Sequence, residues 1–261
     1  MKSFFLFSLL LVGTSAFAQS FTENFAVNPP LGAQDPGSTA TPGLWYIDRY
    51  APATFESASF QDANRLHVGT LGSDYQANSF YDWQGRKLYL TGATLGSTVS
   101  AQLYISSAWQ NTAASPGMWF TLYDPTATPA DYPIISFYSD GVGSSYFRVF
   151  DNNNGWVTLD TSILWDAWTT LGISFDLSGI VYSINGVAVY SETTGLDNGA
   201  VNIANVMFQN RNYGTSYDAY WSDLQVTTPT TTAQPVPEPT TLTLAGVGAV
   251  WLLRRGLRAR R

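Results

Sequence analysis

Among the chargeable side chains that could do chemistry, carboxylates are the most numerous, but their spacing does not form a recognisable catalytic set. Cleaving a glycosidic bond takes two carboxyl groups about 5–9 Å apart, one giving a proton and one accepting a proton or attacking. There are four glutamates, Glu23, Glu56, Glu192 and Glu238, far apart in the chain. Asp160 with Asp166, and Asp218 with Asp223, are close in sequence. At strand ends such groups read as solvated turn residues. The only histidine, His67 in RLHVGT, alternates with Leu66 and Val68, which places it on the polar face of a strand. A triad also needs a placed nucleophile and an orienting acid, and no nucleophile-elbow pattern flanks it. There is no cysteine, which removes thiolate nucleophiles, zinc-thiolate sites and thiol redox chemistry, and no His-x-x-x-His pair, which argues against zinc. No glycine-rich phosphate loop precedes a helical pattern. No catalytic residue is assigned, and the chain is expected not to be an enzyme.

Aromatic rings offer a second kind of chemistry, since Trp and Tyr join an apolar face to a polar edge and stack on sugars. They make up 15% of residues with Phe. Trp83 and Trp109, beside turn residues, and Tyr213, next to the donors Asn210, Arg211 and Asn212, are the candidate stacking positions. Trp119, Trp168 and Trp221 sit at alternating strand positions and are expected in the core.

The elements that must hold these groups are strands. Apolar runs with period-two alternation and turn signals every 8–14 residues occupy 21–27, 44–50, 54–60, 65–69, 86–91, 98–106, 118–123 and 134–138. They continue at 146–151, 156–159, 168–176, 180–184, 187–191, 201–209 and 217–226. IVYSINGVAVYS places Asn185-Gly186, residues suited to a type I′ turn, between two β-branched runs. DNNNGW reads as a looser hairpin, because its glycine falls one place early for a calcium loop of the EF-hand kind. Residues 28–43 hold four prolines and read as an irregular surface crossing. With 261 residues and no 20–50-residue repeat, the pattern is that of one all-β, two-sheet antiparallel sandwich, a jelly roll, over residues 19–226.

AWTTLGISFDLSGIVYSINGVAVYSE (167–192) and the closing YDAYWSDLQV (217–226) resemble the concanavalin A-like and laminin G-like jelly rolls. That resemblance implies a fold used by lectins, carbohydrate-binding modules, hydrolases, lyases and structural modules, and does not choose among them. The laminarinase-like branch carries its acids as Glu-x-Asp-x-x-Glu on one strand, and none of the four glutamates here sits in that pattern. Carbohydrate-binding relatives often tie the first strand to the last with calcium. The resemblance therefore implies Glu23 and Asp223 as ligands of a structural Ca2+, completed by backbone oxygens.

The two ends carry an address. Lys2, the apolar run Phe4–Val12 and Ala16-Phe17-Ala18 form a signal peptide over residues 1–18, with Gln19 opening the mature chain. A Thr/Pro linker spans 227–235. VPEPTTLTLAGVGAVWLLRRGLRARR (236–261) resembles the PEP-CTERM sorting signal. It has the motif Val236-Pro237-Glu238-Pro239, a short apolar segment over 240–253, and Arg254, Arg255, Arg258, Arg260 and Arg261. The apolar part has 14 residues against the roughly 20 that span a bilayer, and the arginines favour a cytoplasmic end. The resemblance implies a membrane exosortase as processing partner and an exopolysaccharide-producing host.

Between Gln19 and Pro235, 18 acidic and 6 basic residues leave twelve net negative charges. This excludes nucleic acid as an electrostatic partner and favours neutral glycans, cations or proteins. The expected protein is exported and tethered by its tail before processing. It then reaches the cell surface or matrix as a non-catalytic, glycan-binding sandwich. A polysaccharide-active hydrolase or lyase, or a purely structural adhesive module, is the alternative.

Overall fold

A computed structural model describes residues 21–78 and 80–229. In chain order the first strands are β1 (Phe21–Glu23), β2 (Leu31–Gln34), β3 (Trp45–Ile47), β4 (Thr54–Phe60), β5 (Ala63–Thr70) and β6 (Trp83–Tyr89). Then come β7 (Ser97–Ile105), β8 (Ala113–Ala114), β9 (Pro116–Tyr123), β10 (Pro129–Asp131), β11 (Ile134–Asp140) and β12 (Ser145–Asp151). The last are β13 (Gly155–Thr158), β14 (Ala167–Asp176), β15 (Gly179–Ile184), β16 (Val187–Glu192), β17 (Asn202–Arg211) and β18 (Tyr217–Thr227). One helical turn, α1 (Thr194–Asp197), follows β16.

The strands form two sheets, the jelly-roll sandwich expected. The eight-stranded sheet runs β16-β15-β14-β7-β18-β5-β4, with β1 also on β18. The ten-stranded sheet runs β13-β12-β11-β9-β17-β6-β3-β2, with β10 on β9 and β8 on β11. Among the described residues all strand pairings are antiparallel except β2 with β3, and an isolated parallel bridge joins Tyr50 to Gln84. The proline-rich 28–43 stretch, expected to be irregular, supplies β2 from the proline-free run between Pro30 and Pro36.

The strands form where apolar residues alternate. In β7, Val99, Ala101, Leu103 and Ile105 point inward, and in β18 Tyr217, Ala219, Trp221, Leu224 and Val226 do so. A ring column ties the sheets together. Phe208 of the larger sheet stacks on Trp221 of the smaller at 4.4 Å, and on Trp45 at 5.5 Å. Asn185 and Gly186 both have positive φ, 50° and 77°, as the hairpin expectation required. The 152–155 hairpin forms too, its Asp151 carboxylate accepting the Asn153 and Asn154 backbone N–H groups. Trp119 is buried as expected, in a second apolar cluster on the outward side of the larger sheet. Trp168 departs from its expected core position and is half-buried on the outward side of the smaller sheet.

Candidate active site

The outward side of the eight-stranded sheet gathers the polar alternates of its strands. Because Leu66 and Val68 point inward, His67 points outward from β5; likewise Asp218 and Tyr220 point outward from β18 and Tyr104 from β7. His67 lies on the polar strand face as expected. Its Nε2 is 2.7 Å from Asp218 Oδ1, and its ring stacks on Tyr220 with centroids 5.0 Å apart. Phe60, at the end of β4, stacks on the same Tyr220 at 3.8 Å and meets Tyr104 edge-on at 4.9 Å. Gly69 faces the dyad. A methyl there would fall 2.3 Å from Thr54 Oγ1 and 3.3 Å from Asp218 Oδ1, so glycine keeps this approach open.

Beside the rings opens a cleft of about 460 Å³, whose walls include Phe60, Tyr104, Tyr220 and Trp109. Two carboxylates line it, Asp218 and Asp166. Asp166 precedes β14 with φ +53°, a left-handed conformation that a side chain adopts at some cost. Its Oδ1 accepts the Ser107 N–H at 2.9 Å and lies 3.5 Å from the Tyr104 hydroxyl. The Ser107 hydrogen bonds hold Asp166 below the usual carboxylate range. The His67 hydrogen bond does the same for Asp218. Burial, and then the adjacent carboxylate charge, push the phenols of Tyr104 and Tyr220 up. At neutral pH the cleft thus presents two ionised carboxylates next to two protonated phenols. Proximity in the chain pairs Asp166 with Asp160 and Asp218 with Asp223. The sheet instead brings Asp166 and Asp218 to one cleft, across the strand order β14-β7-β18. Alternation in YDAYWSDLQV places Asp218 and Tyr220 outward, and was the available signal for half of the site.

The candidate stacking residues need correction. Trp109, 2% exposed, is packed on Phe137 and Tyr217, so it backs the cleft as a floor and is not a surface platform. Trp83, 5% exposed, packs edge-on against Trp119 at 4.6 Å. Both lie beside turns, but the 107–110 turn folds inward, and neighbouring side chains cover Trp83. Tyr213 remains half-buried with Arg211 over its ring at 5.0 Å, and its hydroxyl is buried.

The outward face of the ten-stranded sheet is filled. Register places Trp156, Phe150, Ile134, Trp119, Met207 and Lys87 in one row across it. Arg148 lies 3.9 Å over Trp156, and Arg49 4.8 Å over Trp119. The central strands β6, β9 and β17 carry no Asp or Glu, and β11 has only Asp140 at its end. An acid pair on a central strand of that face is therefore absent.

Glu23 and Asp223 come close in the topology, since Glu23 is paired with Leu224. Their carboxylates have local partners, the Phe25 N–H at 2.8 Å and the Ser222 hydroxyl at 2.9 Å. Among the described residues no three His, Asp or Glu side chains are grouped to hold a metal ion. The signal peptide, the linker beyond Pro229, the Val236–Pro239 motif and the five terminal arginines lie outside the described residues. No helix among the described residues is long and apolar enough to cross a membrane.

No family model matches the chain, and no curated protein does. Solved structures with a similar fold include one described as an endo-acting O-glycanase of the human gut microbiota that initiates mucin breakdown. It has a TM-score of 0.49 and 11% identity, and the match covers 80% of this chain and 98% of that one. A Bacillus licheniformis β-glucanase has a TM-score of 0.46 and 14% identity over 80% of this chain and 98% of its own. The Crh5 transglycosylase in its apo form has a TM-score of 0.47 and 10% identity over 81% and 85%. At such identities the likeness is one of fold. The glycan-cleaving and glycan-transferring names belong to those chains. The expectation of a non-catalytic module is set aside for its polysaccharide-active alternative, which rests on the cleft.

Proposed function

We propose that the protein is an exported enzyme acting on a neutral polysaccharide in the cleft between Asp166 and Asp218. The observation that carries this reading is the convergence of those two carboxylates on a single aromatic-walled cleft. Phe60 and Tyr220 supply the apolar wall for a sugar ring. Tyr104, its phenol kept protonated by burial and by the Asp166 charge, is the group placed to give a proton to a leaving oxygen. Asp218, held ionised by His67, is the group placed to take the proton of an attacking water or sugar hydroxyl. Asp166 stabilises positive charge developing at the anomeric carbon. Two carboxylates in an acidic domain repel uronates, so the substrate class is neutral and the reaction is hydrolysis or transglycosylation. The test incubates the protein with neutral and anionic polysaccharides and reads new reducing ends and unsaturated sugars. New reducing ends or transfer products from neutral chains alone support the reading, and unsaturated products from anionic chains overturn it.

The ends of the chain support delivery outside the cytoplasm. Residues 1–18 act as a cleaved signal peptide, and residues 236–261 act as an exosortase-type sorting signal that holds the protein in the membrane until it is processed to the cell surface or matrix. Deleting residues 236–261 then releases the protein to the medium. Unchanged location and size after the deletion would contradict this.

A further inference from the structure

At the opposite edge of the sandwich, two acids are sealed where the sheets meet. Asp131 ends β10 on the larger sheet and is 1% exposed; Glu192 ends β16 on the smaller and is 7% exposed. Each has one satisfied oxygen. Asp131 Oδ1 accepts the Tyr132 N–H at 2.6 Å and the Asn152 side-chain amide, and Glu192 Oε1 accepts the Tyr182 hydroxyl. Each also has one buried oxygen with no hydrogen-bond partner, Asp131 Oδ2 and Glu192 Oε2. Gly195 borders the first of these. A methyl there would lie 3.3 Å from Asp131 Oδ2. The Asp131 charge acts on the Glu192 carboxyl, and the helical turn that follows Glu192 places Gly195 against Asp131.

No ion pair among the described residues includes Asp131 or Glu192. Asp151, whose charge acts on both, is already satisfied by Tyr190, Asn153 and Asn154. Burying carboxylates without a counter-charge is costly, and native proteins pair such groups or give them a metal. Burial pushes Glu192 up to about 7 and Asp131 up to about 6, which expresses that cost. Hard anionic oxygens with neighbouring amide and hydroxyl groups suit a hard divalent cation of calcium's size, which accepts backbone carbonyls and water for its remaining positions.

We infer that Asp131 and Glu192 are the two anionic ligands of a structural divalent-cation site, of the calcium class, that joins the ten-stranded sheet to the edge of the eight-stranded sheet. The site is remote in sequence from the Glu23 and Asp223 pair and takes no part in the cleft chemistry. The unpartnered oxygens Asp131 Oδ2 and Glu192 Oε2 supply the charge, and the cation neutralises both.

The test strips the purified protein with chelator at pH 7.5 and titrates calcium chloride back, following heat of binding and melting temperature. One calcium per chain is expected, with a melting rise of about 5–10 °C at saturation. Asp131→Asn and Glu192→Gln, which keep shape, should each lose the heat and the rise, while a Glu23→Gln/Asp223→Asn variant keeps both. If an acid-pair variant does not fold, native mass spectrometry of Glu23→Gln/Asp223→Asn decides: one retained calcium supports the site, and none overturns it. Absence of a calcium response in the unaltered protein, or one lost only with Glu23 and Asp223, also overturns the inference. So does stability that ignores calcium but falls as pH rises from 5 to 8, because a shared proton then neutralises the pair.

Discussion

His67 Nε2 stands 2.7 Å from Asp218 Oδ1, across two adjacent strands and 151 residues of sequence. The contact holds the Asp218 carboxyl below its ordinary range and leaves that carboxylate facing the cleft. Removing the imidazole with His67→Ala lets the pKa of Asp218 rise. If Asp218 accepts the proton, the acid limb of the pH–rate profile moves to higher pH. The profile is measured on the polysaccharide found by the screen, and an unmoved limb would remove Asp218 from the base role.

Phe60 lies on Tyr220 at 3.8 Å and an interplanar angle of 12°. That contact sets the position of the ring; a sugar face packed on Phe60 would itself contribute about 1 kcal/mol, which is about fivefold in affinity. Phe60→Ala should therefore raise KM about fivefold and change kcat less, because the ring lies beside the reacting bond and does not take part. Equal loss in both parameters would place Phe60 elsewhere.

Phe208 and Trp221 meet at 4.4 Å between the sheets, each fully buried. Trp221→Ala leaves a large cavity and should cost about 3–5 kcal/mol of unfolding free energy in urea melts. Trp156→Ala, at a ring 37% exposed, should cost less than half as much.

Asp35 connects a loop to the larger sheet. Burial raises its carboxyl, but hydrogen bonds from Lys87 at 2.8 Å, Tyr89 at 2.7 Å and the Gly37 N–H outweigh that and hold it low. A depressed carboxyl contributes stability above its unfolded value of 3.8, and the contribution fades as pH falls through the folded value. Urea midpoints should drop below about pH 4 in the unaltered protein. In Asp35→Asn they should be lower at pH 7 and fall less on acidification.

The strands were legible because apolar alternation is a local signal, and each of the fifteen expected segments overlaps an observed strand. Alternation could not reveal β8 or β10, of two and three residues, which exist only through pairing with β11 and β9. The sites were harder. Whether Trp109 faces solvent depends on how its turn packs on Phe137, a contact 28 residues away. Asp166 and Asp218 meet only because β18 docks on β7, a non-local pairing that no spacing in the chain announces. Asp131 and Glu192 sit on different sheets, and nothing in their flanking residues marks them as neighbours.

The central claim is that the Asp166 and Asp218 cleft cleaves or transfers neutral glycan. Its most direct test is the rate of product formation, reducing ends or transfer products, by the unaltered protein beside Asp166→Asn and Asp218→Asn, each checked for an unchanged melting temperature. The expected result is turnover that falls about 100-fold or more in each variant. Turnover equal in all three proteins, or absent from the unaltered one on every polysaccharide tried, would contradict the claim.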